Sequence, residues 1–361
     1  MGWSVANCRD PRVRQQLMGE RVFGLRWMAR ARIDVVNDIS TDRIPVRVER
    51  VDVIATDICR FDLRRIDGEP LPNWRAGAHI DVHIAPGLVR QYSLCGDANG
   101  SERYSIAVKR EASSRGGSAA LHANIRAGAD LEISRPRNLF PLEVGGEERV
   151  LLVAAGIGIT PIITMARELA RSGRRFVLLY FVRNRDACAF REEISSPPLR
   201  ESAEILHENT PERVRAILEA RLNGSVGYDR IYTCGPGGFM SCVREVAVGS
   251  GIKEDFVRSE SFGAIARKED APSKAFHLRL ARAGLELCVP EGSTAVDVLR
   301  AAGIPIETSC EQGVCGTCVT KVLEGVPDHR DSFLTDAEKK RNDCVALCVS
   351  RACSEKLGIY L

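Results

Sequence analysis

Cysteine residues crowd the C-terminal end of the chain. Three of them stand in one loop with the spacing C-x4-C-x2-C, and a fourth follows well downstream. This is the plant-type spacing for a [2Fe–2S] cluster, in which four thiolates converge on two irons. The sequence therefore predicts an iron–sulfur cluster with four metal ligands: Cys310, Cys315, Cys318 and Cys348.

Two glycines inside this loop support the interpretation. Gly313 and Gly316 permit tight bends and let backbone N–H groups approach the inorganic sulfides. A structural zinc site is the alternative, but zinc modules usually combine two C-x2-C pairs, whereas this loop supplies three cysteines before a long gap. Cys344 and Cys353 flank Cys348 and stay open as alternatives for the fourth ligand.

A glycine-containing turn follows a predicted buried strand, Val150 to Ala155. In Ala155-Gly156-Ile157-Gly158-Ile159-Thr160-Pro161 the glycines let a pyrophosphate approach the backbone, and we expect Thr160 to cap the helix that Pro161 begins. The positive end of that helix favours anionic groups. The third glycine of a G-x-G-x-x-G fingerprint is absent, so an ordinary strand–helix turn is the alternative.

Two further segments belong to the same predicted sheet. Cys234-Gly235-Pro236-Gly237-Gly238 closes the strand Arg230 to Cys234, and such a turn at the carboxyl edge of a parallel sheet borders a ligand crevice; a plain turn is the alternative. Arg183-Asn184-Arg185-Asp186 follows the strand Phe176 to Val182. An arginine there could hold a 2′-phosphate and an acidic residue could hold a ribose hydroxyl, so both NADPH and NADH stay open.

Three earlier segments combine cations, hydroxyls and an aromatic ring. A phosphorylated flavin needs a ring platform, donors at the ring edge and a phosphate seat, and together these segments supply them. Taken singly, each is typical of a solvated strand or loop. His79 and His83 share one strand face, but without a further ligand we expect core or surface histidines rather than a metal site. The three segments are Arg90-Gln91-Tyr92-Ser93-Leu94, Ala107-Val108-Lys109-Arg110 and Ser114-Arg115-Gly116-Gly117-Ser118.

The periodicity of apolar residues divides the chain into structured regions. Alternating valines and isoleucines between turn clusters predict a small antiparallel barrel over roughly residues 45–142. Beyond Gly145-Gly146, buried strands alternate with helical patterns such as Pro211 to Leu222, which indicates a doubly wound parallel sheet. We interpret the charged, proline-containing stretch 264–274 as a linker. Two strands around Phe276 to Val289, and then a helix, precede the cysteine loop.

Composition and charge exclude several classes of protein. With 44% apolar and 27% charged residues, the 361-residue chain has the composition of a folded globular protein. The net charge of +3 offers no broad basic field, so we expect neither nucleic acid nor a membrane as a partner. The longest uncharged stretch, 150–166, contains glycines and a proline and does not suit a membrane span. Single cysteines plus one terminal cluster favour a reduced, cytoplasmic setting.

Taken together, these motifs resemble the phthalate dioxygenase reductase family over about residues 43–361. The resemblance implies a multidomain protein with an antiparallel β-barrel flavin domain at 43–143 and an α/β doubly wound nucleotide domain at 144–264. A linker at 265–274 would then lead to a C-terminal β-grasp plant-type ferredoxin domain at 275–361. Residues 1–42 have no counterpart in the family. We expect a disordered extension there, or an over-long reading frame that truly begins at Met28.

The resemblance also implies a role for each motif. Arg90 would lie near the FMN phosphate, and Phe262 in Glu260-Ser261-Phe262 would approach the flavin ring. The family usually has Gly-Gly where this chain has Ala155-Gly156. The FMN site would comprise Arg90, Gln91, Tyr92, Ser93, Ala107, Val108, Lys109, Gly116, Gly117 and Ser118. The NADH site would comprise Gly156, Gly158, Thr160, Arg183, Cys234, Gly235 and Pro236.

The implied function is electron transfer from NADH through FMN and the [2Fe–2S] cluster to a Rieske-type oxygenase, either an aromatic-ring dioxygenase or an O-demethylase. A flavin suits the middle position because it takes two electrons together and releases them singly. We expect a transient oxygenase contact, with Glu307, Glu311 and Asp343 as acidic contacts or simply a solvated rim. Two alternatives stay open: a reductase for a diiron monooxygenase or a cytochrome, and a flavin protein with a zinc-stabilised interaction tail.

Overall fold

A computed structural model describes residues 43–361, except for 86–87, 99, 101, 112–115, 208–209, 225–226, 263–273, 307, 309, 315 and 332. The predictions for the N-terminal extension, for nearly all of the linker, for Cys315 and for Glu307 therefore lie outside the described residues. The described residues cluster into two compact units, one within 42–263 and the other within 264–361.

The first part of the larger unit is a closed antiparallel sheet. Its inward positions alternate along the first strand, where Ile44, Val46 and Val48 are buried. A bridge between Leu94 and Ile106 joins the two edge strands of the sheet, so the sheet closes into the predicted barrel. The strands are β1 (Arg43–Ala55), β2 (Ile58–Arg65), β3 (His79–Ala85), β4 (Leu88–Ser93), β5 (Tyr104–Lys109) and β6 (Asp130–Ser134), in the order β4-β3-β6-β1-β2-β5, with one helix, α1 (Gly117–Asn124).

The second part of this unit is a parallel sheet with helices packed against it. The predicted doubly wound architecture is confirmed, and the helix expected at Pro211 to Leu222 begins and ends at those residues. Sequence reasoning missed the outer strands β9 and β11, which are short and partly polar. The strands are β7 (Val150–Ala155), β8 (Phe176–Phe181), β9 (Ala203–Leu206), β10 (Arg230–Cys234) and β11 (Val257–Glu260), in the order β11-β10-β7-β8-β9. The helices are α2 (Ile159–Arg171), α3 (Arg191–Ile194), α4 (Pro211–Leu222) and α5 (Gly237–Gly249).

The C-terminal unit is a mixed five-stranded sheet that packs against a short helix. The helix begins at a capping box, in which Thr294 and Asp297 satisfy each other's backbone N–H groups. Val296 and Leu299 of this helix share one apolar core with the sheet. One pair of neighbouring strands in this sheet, 276–280 and 356–359, runs parallel, and the other neighbouring pairs among the described residues are antiparallel.

The elements of this unit are β12 (Phe276–Leu280), β13 (Leu285–Val289), α6 (Ala295–Ala301), β14 (Val319–Glu324), β15 (Pro327–Asp328), α7 (Asp336–Arg341), β16 (Cys344–Ala346), β17 (Arg351–Ala352) and β18 (Lys356–Ile359). In the part of the chain that the structure describes, no helix combines the length and apolar character needed to cross a bilayer.

Candidate functional site

Side chains of helix α2 tie the barrel to the parallel sheet. The Arg167 guanidinium donates to the carbonyl oxygens of Cys95 at 2.6 Å and Gly96 at 2.7 Å, both just beyond β4. The same guanidinium pairs with Glu193, with an Nε–Oε1 distance of 2.5 Å. Thr164 of α2 accepts a hydrogen bond from the backbone N–H of Gly77 at 3.3 Å. These contacts hold the end of β4 at a fixed position relative to the carboxyl end of the sheet.

The two predicted glycine turns lie against each other at that end of the sheet. A Cβ atom on Gly158 would come within 2.2 Å of the Cys234 carbonyl oxygen, so only glycine permits this approach. A Cβ atom on Gly235 would lie 2.9 Å from the Ala155 Cβ, which is how the chain accommodates Ala155 where the family usually has glycine. Gly156 has a φ of +55°, and the space beside it is open. The turns thus form a narrow, backbone-lined edge that suits a pyrophosphate.

The predicted capping role of Thr160 is wrong. A single 3-10 turn, Gly156–Gly158, leads straight into α2, which begins at Ile159 rather than at Pro161. Thr160 consequently lies inside the first turn of the helix, where its buried hydroxyl donates to the Ile157 carbonyl oxygen at 3.0 Å. The backbone N–H groups at the start of α2 therefore have no side-chain cap.

A serine, a carboxyl group and a thiol meet where the barrel adjoins the sheet. Ser93, the last residue of β4, donates its hydroxyl to Oε2 of Glu260 at 3.4 Å. Glu260 ends β11 and lies directly across from Cys234, which ends β10. Burial raises the pKa of Glu260 to about 8, against the opposing effect of the Ser93 hydrogen bond, so the carboxyl group carries its proton at neutral pH. Burial and then the nearby Glu260 carboxyl also raise the pKa of the Cys234 thiol.

Sequence reasoning singled out the aromatic ring of this segment and missed the carboxyl group. Phe262 is 42% exposed, two residues beyond Glu260. The available signal was the acidic residue that ends a short, partly polar strand. Its significance depends on the approach of Ser93, which is far away in the sequence.

A candidate phosphate-binding position lies at the start of α1. Gly116 precedes the helix with a φ of +88°, and a Cβ atom on Gly117 would come within 2.5 Å of Cγ of Arg90. The Arg90 stem therefore crosses the first turn of α1 through space that only glycine leaves free. Free N–H groups at a helix start and an adjacent guanidinium are the donors that hold a phosphate. The close approach of Arg90 to the start of α1 therefore fits the binding of a phosphorylated flavin.

The other residues expected in the flavin site have mixed surroundings. Tyr92 is largely enclosed, and burial raises its pKa. Nε2 of Gln91 is buried and has no hydrogen-bond partner among the described residues. Ala107 and Val108 are buried in β5, whereas Lys109 is exposed and pairs with Glu111 at 2.8 Å.

The remaining predicted residues lie farther from these contacts. Ser118 in α1 accepts a hydrogen bond from the backbone of Glu111. Arg183 is exposed beyond β8, and Pro236 precedes the first residue of α5.

Three of the four predicted cluster ligands converge in the C-terminal unit. Cys310, Cys318 and Cys348 are all buried, and the Cys348 thiol is hydrogen-bonded to the thiols of the other two. Contact with Cys310 lowers the pKa of Cys348, contact with Cys318 and burial raise it, and the net value is about 12. The backbone N–H of Gln312 donates to the sulfur of Cys310 at 3.3 Å, as expected in an iron–sulfur loop. Cys315 lies outside the described residues.

Both glycines of the loop have positive φ angles and tight surroundings. A Cβ atom on Gly313, at φ +73°, would lie 2.6 Å from Cγ2 of Val349, and one on Gly316, at φ +75°, would enter the ring of Phe333. The two flanking cysteines are placed differently from Cys348. Cys344 belongs to β16, and Cys353 is exposed and donates to the Pro327 carbonyl. The thiol set and the N–H groups aimed at sulfur fit a [2Fe–2S] cluster.

Comparison with known proteins agrees with this geometry. The family model described as a 2Fe-2S iron-sulfur cluster binding domain matches residues 278–353. The chain is 44% identical to a vanillate O-demethylase oxidoreductase from Pseudomonas sp. (strain HR199 / DSM 7063) over 88% of this chain and 100% of that protein. Among solved structures it is similar to phthalate dioxygenase reductase, with 36% identity, 88% and 98% of the two chains covered and a TM-score of 0.68.

A second solved structure shows the same arrangement within a longer protein. An intact type IV self-sufficient cytochrome P450 monooxygenase matches at 35% identity and a TM-score of 0.77. The match covers 88% of this chain but 41% of the P450 chain, so the chain spans less than half of that relative's length.

A closed barrel, a parallel sheet with glycine turns and a [2Fe–2S] module together define an oxidoreductase that carries electrons from a pyridine nucleotide through a flavin to an iron–sulfur centre. Sequence identities of 44% and 37% over 88% of this chain place it in one family within this class of oxidoreductases. The chain belongs to the phthalate dioxygenase reductase family, which includes the vanillate O-demethylase oxidoreductases.

Proposed function

We propose that this protein is the NADH-dependent reductase component of a Rieske-type oxygenase system, an O-demethylase or an aromatic-ring dioxygenase. The observation that carries the proposal is the contact between Ser93 and Glu260. This contact joins the end of β4, in the barrel, to the end of β11, in the parallel sheet. A nicotinamide bound at the sheet and a flavin ring bound at the barrel would have to meet at this junction for hydride transfer. The relatives whose names point to these substrates are vanillate O-demethylase oxidoreductase and phthalate dioxygenase reductase.

Bound FMN would accept a hydride from NADH and release its electrons one at a time to the cluster. The chain's own part is to position the two rings and to control charge and water around them. Ser93 and the neutral Glu260 carboxyl place hydrogen-bonding groups at the ring junction without adding a negative charge. The abutting turns at Gly158 and Gly235 leave the backbone free to approach the pyrophosphate.

The binding residues follow from the placements described above. Arg90 with the start of α1 at Gly117 would hold the FMN phosphate, and Tyr92 would provide the ring platform. Cys348 is the proposed fourth cluster ligand in preference to Cys344 or Cys353, because its thiol contacts both Cys310 and Cys318.

NADH is the proposed electron donor in preference to NADPH. Arg183 and Asp186 are both exposed beyond β8, so either charge can reach an adenosine ribose there. Family membership favours NADH. The acidic residue is the group expected to hold a 2′-hydroxyl.

We also propose a cytoplasmic location. The buried Cys95 and Cys188 are thiols that form no disulfide in the part of the chain that the structure describes. Free thiols and an iron–sulfur cluster both suit a reducing compartment.

The oxygenase contact is proposed to be transient and partly electrostatic. Glu311 and Asp343, two of the acidic residues suggested for this contact, are engaged within the chain. Glu311 pairs with Arg300 at 2.6 Å, and Asp343 pairs with Arg341 at 3.0 Å. The surface that this chain would offer to the oxygenase therefore carries both positive and negative charges. The match to the P450 monooxygenase favours a haem protein as the second candidate acceptor.

Two electron acceptors separate the steps of this proposal. Ferricyanide would accept electrons directly from the flavin, whereas an oxygenase component or cytochrome c would require the cluster. Cys348→Ser should abolish reduction of the second kind of acceptor and leave NADH–ferricyanide activity within about twofold. Cys353→Ser is the matched control, because this exposed thiol flanks the site without reaching it. Iron and sulfide content should fall in the first variant alone.

The outcomes decide between the proposed reductase and its alternatives. One FMN, two irons and two sulfides per chain would support the proposal. Zinc without iron, or full electron delivery by C348S to cytochrome c or to an oxygenase component, would contradict it.

A further inference from the structure

A buried histidine pairs across the strands with Ser93, the residue that contacts Glu260. Nε2 of His79 is enclosed and has no hydrogen-bond partner among the described residues, and the whole residue is 4% exposed. Buried polar atoms are normally paired in folded proteins, because an unpaired one destabilises the fold. An enclosed, unpaired imidazole nitrogen at a ligand site therefore calls for a ligand atom.

The strand register shows which groups surround this nitrogen. His79 of β3 lies directly opposite Ser93 of β4, so their side chains share one face of the strand pair at a Cβ separation of about 5 Å. The next pair on the same face is Asp81 opposite Gln91. Nε2 of Gln91 is also buried and unpaired among the described residues. The side chains of His79 and Gln91, each with a buried nitrogen that lacks a partner among the described residues, thus share a strand face with the hydroxyl that meets Glu260.

Burial, more than the neighbouring charges, keeps the imidazole neutral. Burial and then the positive charge of Arg137 lower the pKa of His79 to about 4, against the opposing effect of Asp81. Arg137 donates instead to Asp81, with an Nη2–Oδ2 distance of 2.6 Å, and the backbones of His79 and Arg137 bond to each other. A neutral imidazole has one N–H group, which can act as a hydrogen-bond donor without bringing a charge.

We propose that Nε2 of His79 donates a hydrogen bond to an amide carbonyl oxygen of the cofactors held at Ser93. That oxygen belongs either to the pyrimidine part of the flavin ring or to the carboxamide of the nicotinamide, which present the same acceptor chemistry. The inference rests on the proposed function, because Ser93 marks the junction of the two rings only if flavin and nicotinamide meet there. It gives β3 a direct part in cofactor binding.

Binding titrations test this assignment without measuring turnover. Protein stripped of flavin is titrated with FMN by flavin fluorescence, and FMN-loaded protein is titrated with NAD⁺ by absorbance. His79→Phe keeps the ring shape without a nitrogen, and His79→Gln keeps an N–H group near Nε2. His83→Phe is the matched control, since His83 lies on the same face of β3 but opposite Val89, away from Ser93.

The expected result is a loss of affinity for one ligand by about tenfold or more in H79F. H79Q should stay within about threefold of the wild type, and H83F should be unchanged. A loss for FMN identifies the flavin carbonyl as the partner, and a loss for NAD⁺ alone identifies the carboxamide. Unchanged affinities in H79F, or equal losses in H79F and H79Q, would overturn the proposal.

Two measurements keep this test independent of folding and of the proposed function. If H79F is recovered unfolded, judged by the thermal unfolding midpoint of the flavin-free protein, His79→Leu replaces it and the same thresholds apply. If the wild type itself binds neither FMN nor NAD⁺, the proposed function fails. If the wild type binds both and the His79 variants bind them equally well, only the role of His79 fails.

Discussion

Replacing Glu260 with glutamine should make the barrel-and-sheet unit more stable at neutral pH. Glu260 is partly buried at the end of β11, and burial raises its pKa to about 8. In the unfolded chain the same carboxyl group titrates near its ordinary value of 4.5. Between these two values folding requires the carboxyl group to take up a proton, which opposes folding more strongly as the pH rises.

The size of the effect follows from the separation of the two pKa values. The stability conferred by the protonated group is fully present below pH 4.5 and is lost as the pH rises through about 8. One pKa unit corresponds to about 1.4 kcal/mol, so the full loss is at most about 5 kcal/mol, of which about half is reached near pH 6. Glutamine occupies nearly the same volume, stays neutral and can still accept from the Ser93 hydroxyl.

Urea unfolding of the flavin-free protein from pH 5 to pH 9 measures this difference. Trp74 is buried in the barrel core, in the same compact unit as Glu260, so its fluorescence reports on the relevant transition. The free energy of unfolding of E260Q should exceed that of the wild type by an amount that grows by up to about 1.4 kcal/mol per pH unit and levels off above pH 8. Glu143→Gln, at a solvent-exposed carboxyl group, is the control. Parallel pH curves for wild type and E260Q would refute the reasoning.

Three other predictions concern the glycines and the arginine that shape the site. Gly158→Ala should slow NADH-dependent flavin reduction by tenfold or more in stopped-flow traces while FMN content stays normal, because its Cβ would displace the Cys234 carbonyl; an unchanged rate would exclude this close approach. Gly117→Ala should weaken FMN binding by about tenfold in a fluorescence titration, since its Cβ would push the Arg90 stem off α1; equal affinity would show that Arg90 does not hold the phosphate. Arg167→Ala should lower the free energy of unfolding by about 2–4 kcal/mol, because two carbonyl groups and Glu193 lose their partner; a loss below about 0.5 kcal/mol in urea unfolding would contradict that role.

Local patterns in the sequence determined the fold class and most of the chemistry. Alternation of period two predicted barrel strands such as β1, and the switch to buried strands and helices predicted the parallel sheet. The start of α4 was predictable because Pro211 and the capping residue Thr210 act on their immediate neighbours. The C-x4-C-x2-C spacing indicated the cluster for the same reason, since three of its ligands lie in one short loop.

Contacts between distant segments were decided only by the tertiary structure. Thr160 failed as a cap because the preceding 3-10 turn leads into α2 at Ile159, two residues before the expected start at Pro161. That turn is shaped by the close approach of Gly158 to Cys234 from another strand. The convergence of Cys348 with Cys310 and Cys318, and the meeting of Ser93 with Glu260, likewise join residues with no local relation. Burial raises the pKa of Glu260 and encloses Nε2 of His79, which has no partner among the residues that the structure describes. Burial depends on every element packed around a residue rather than on its neighbours in the chain.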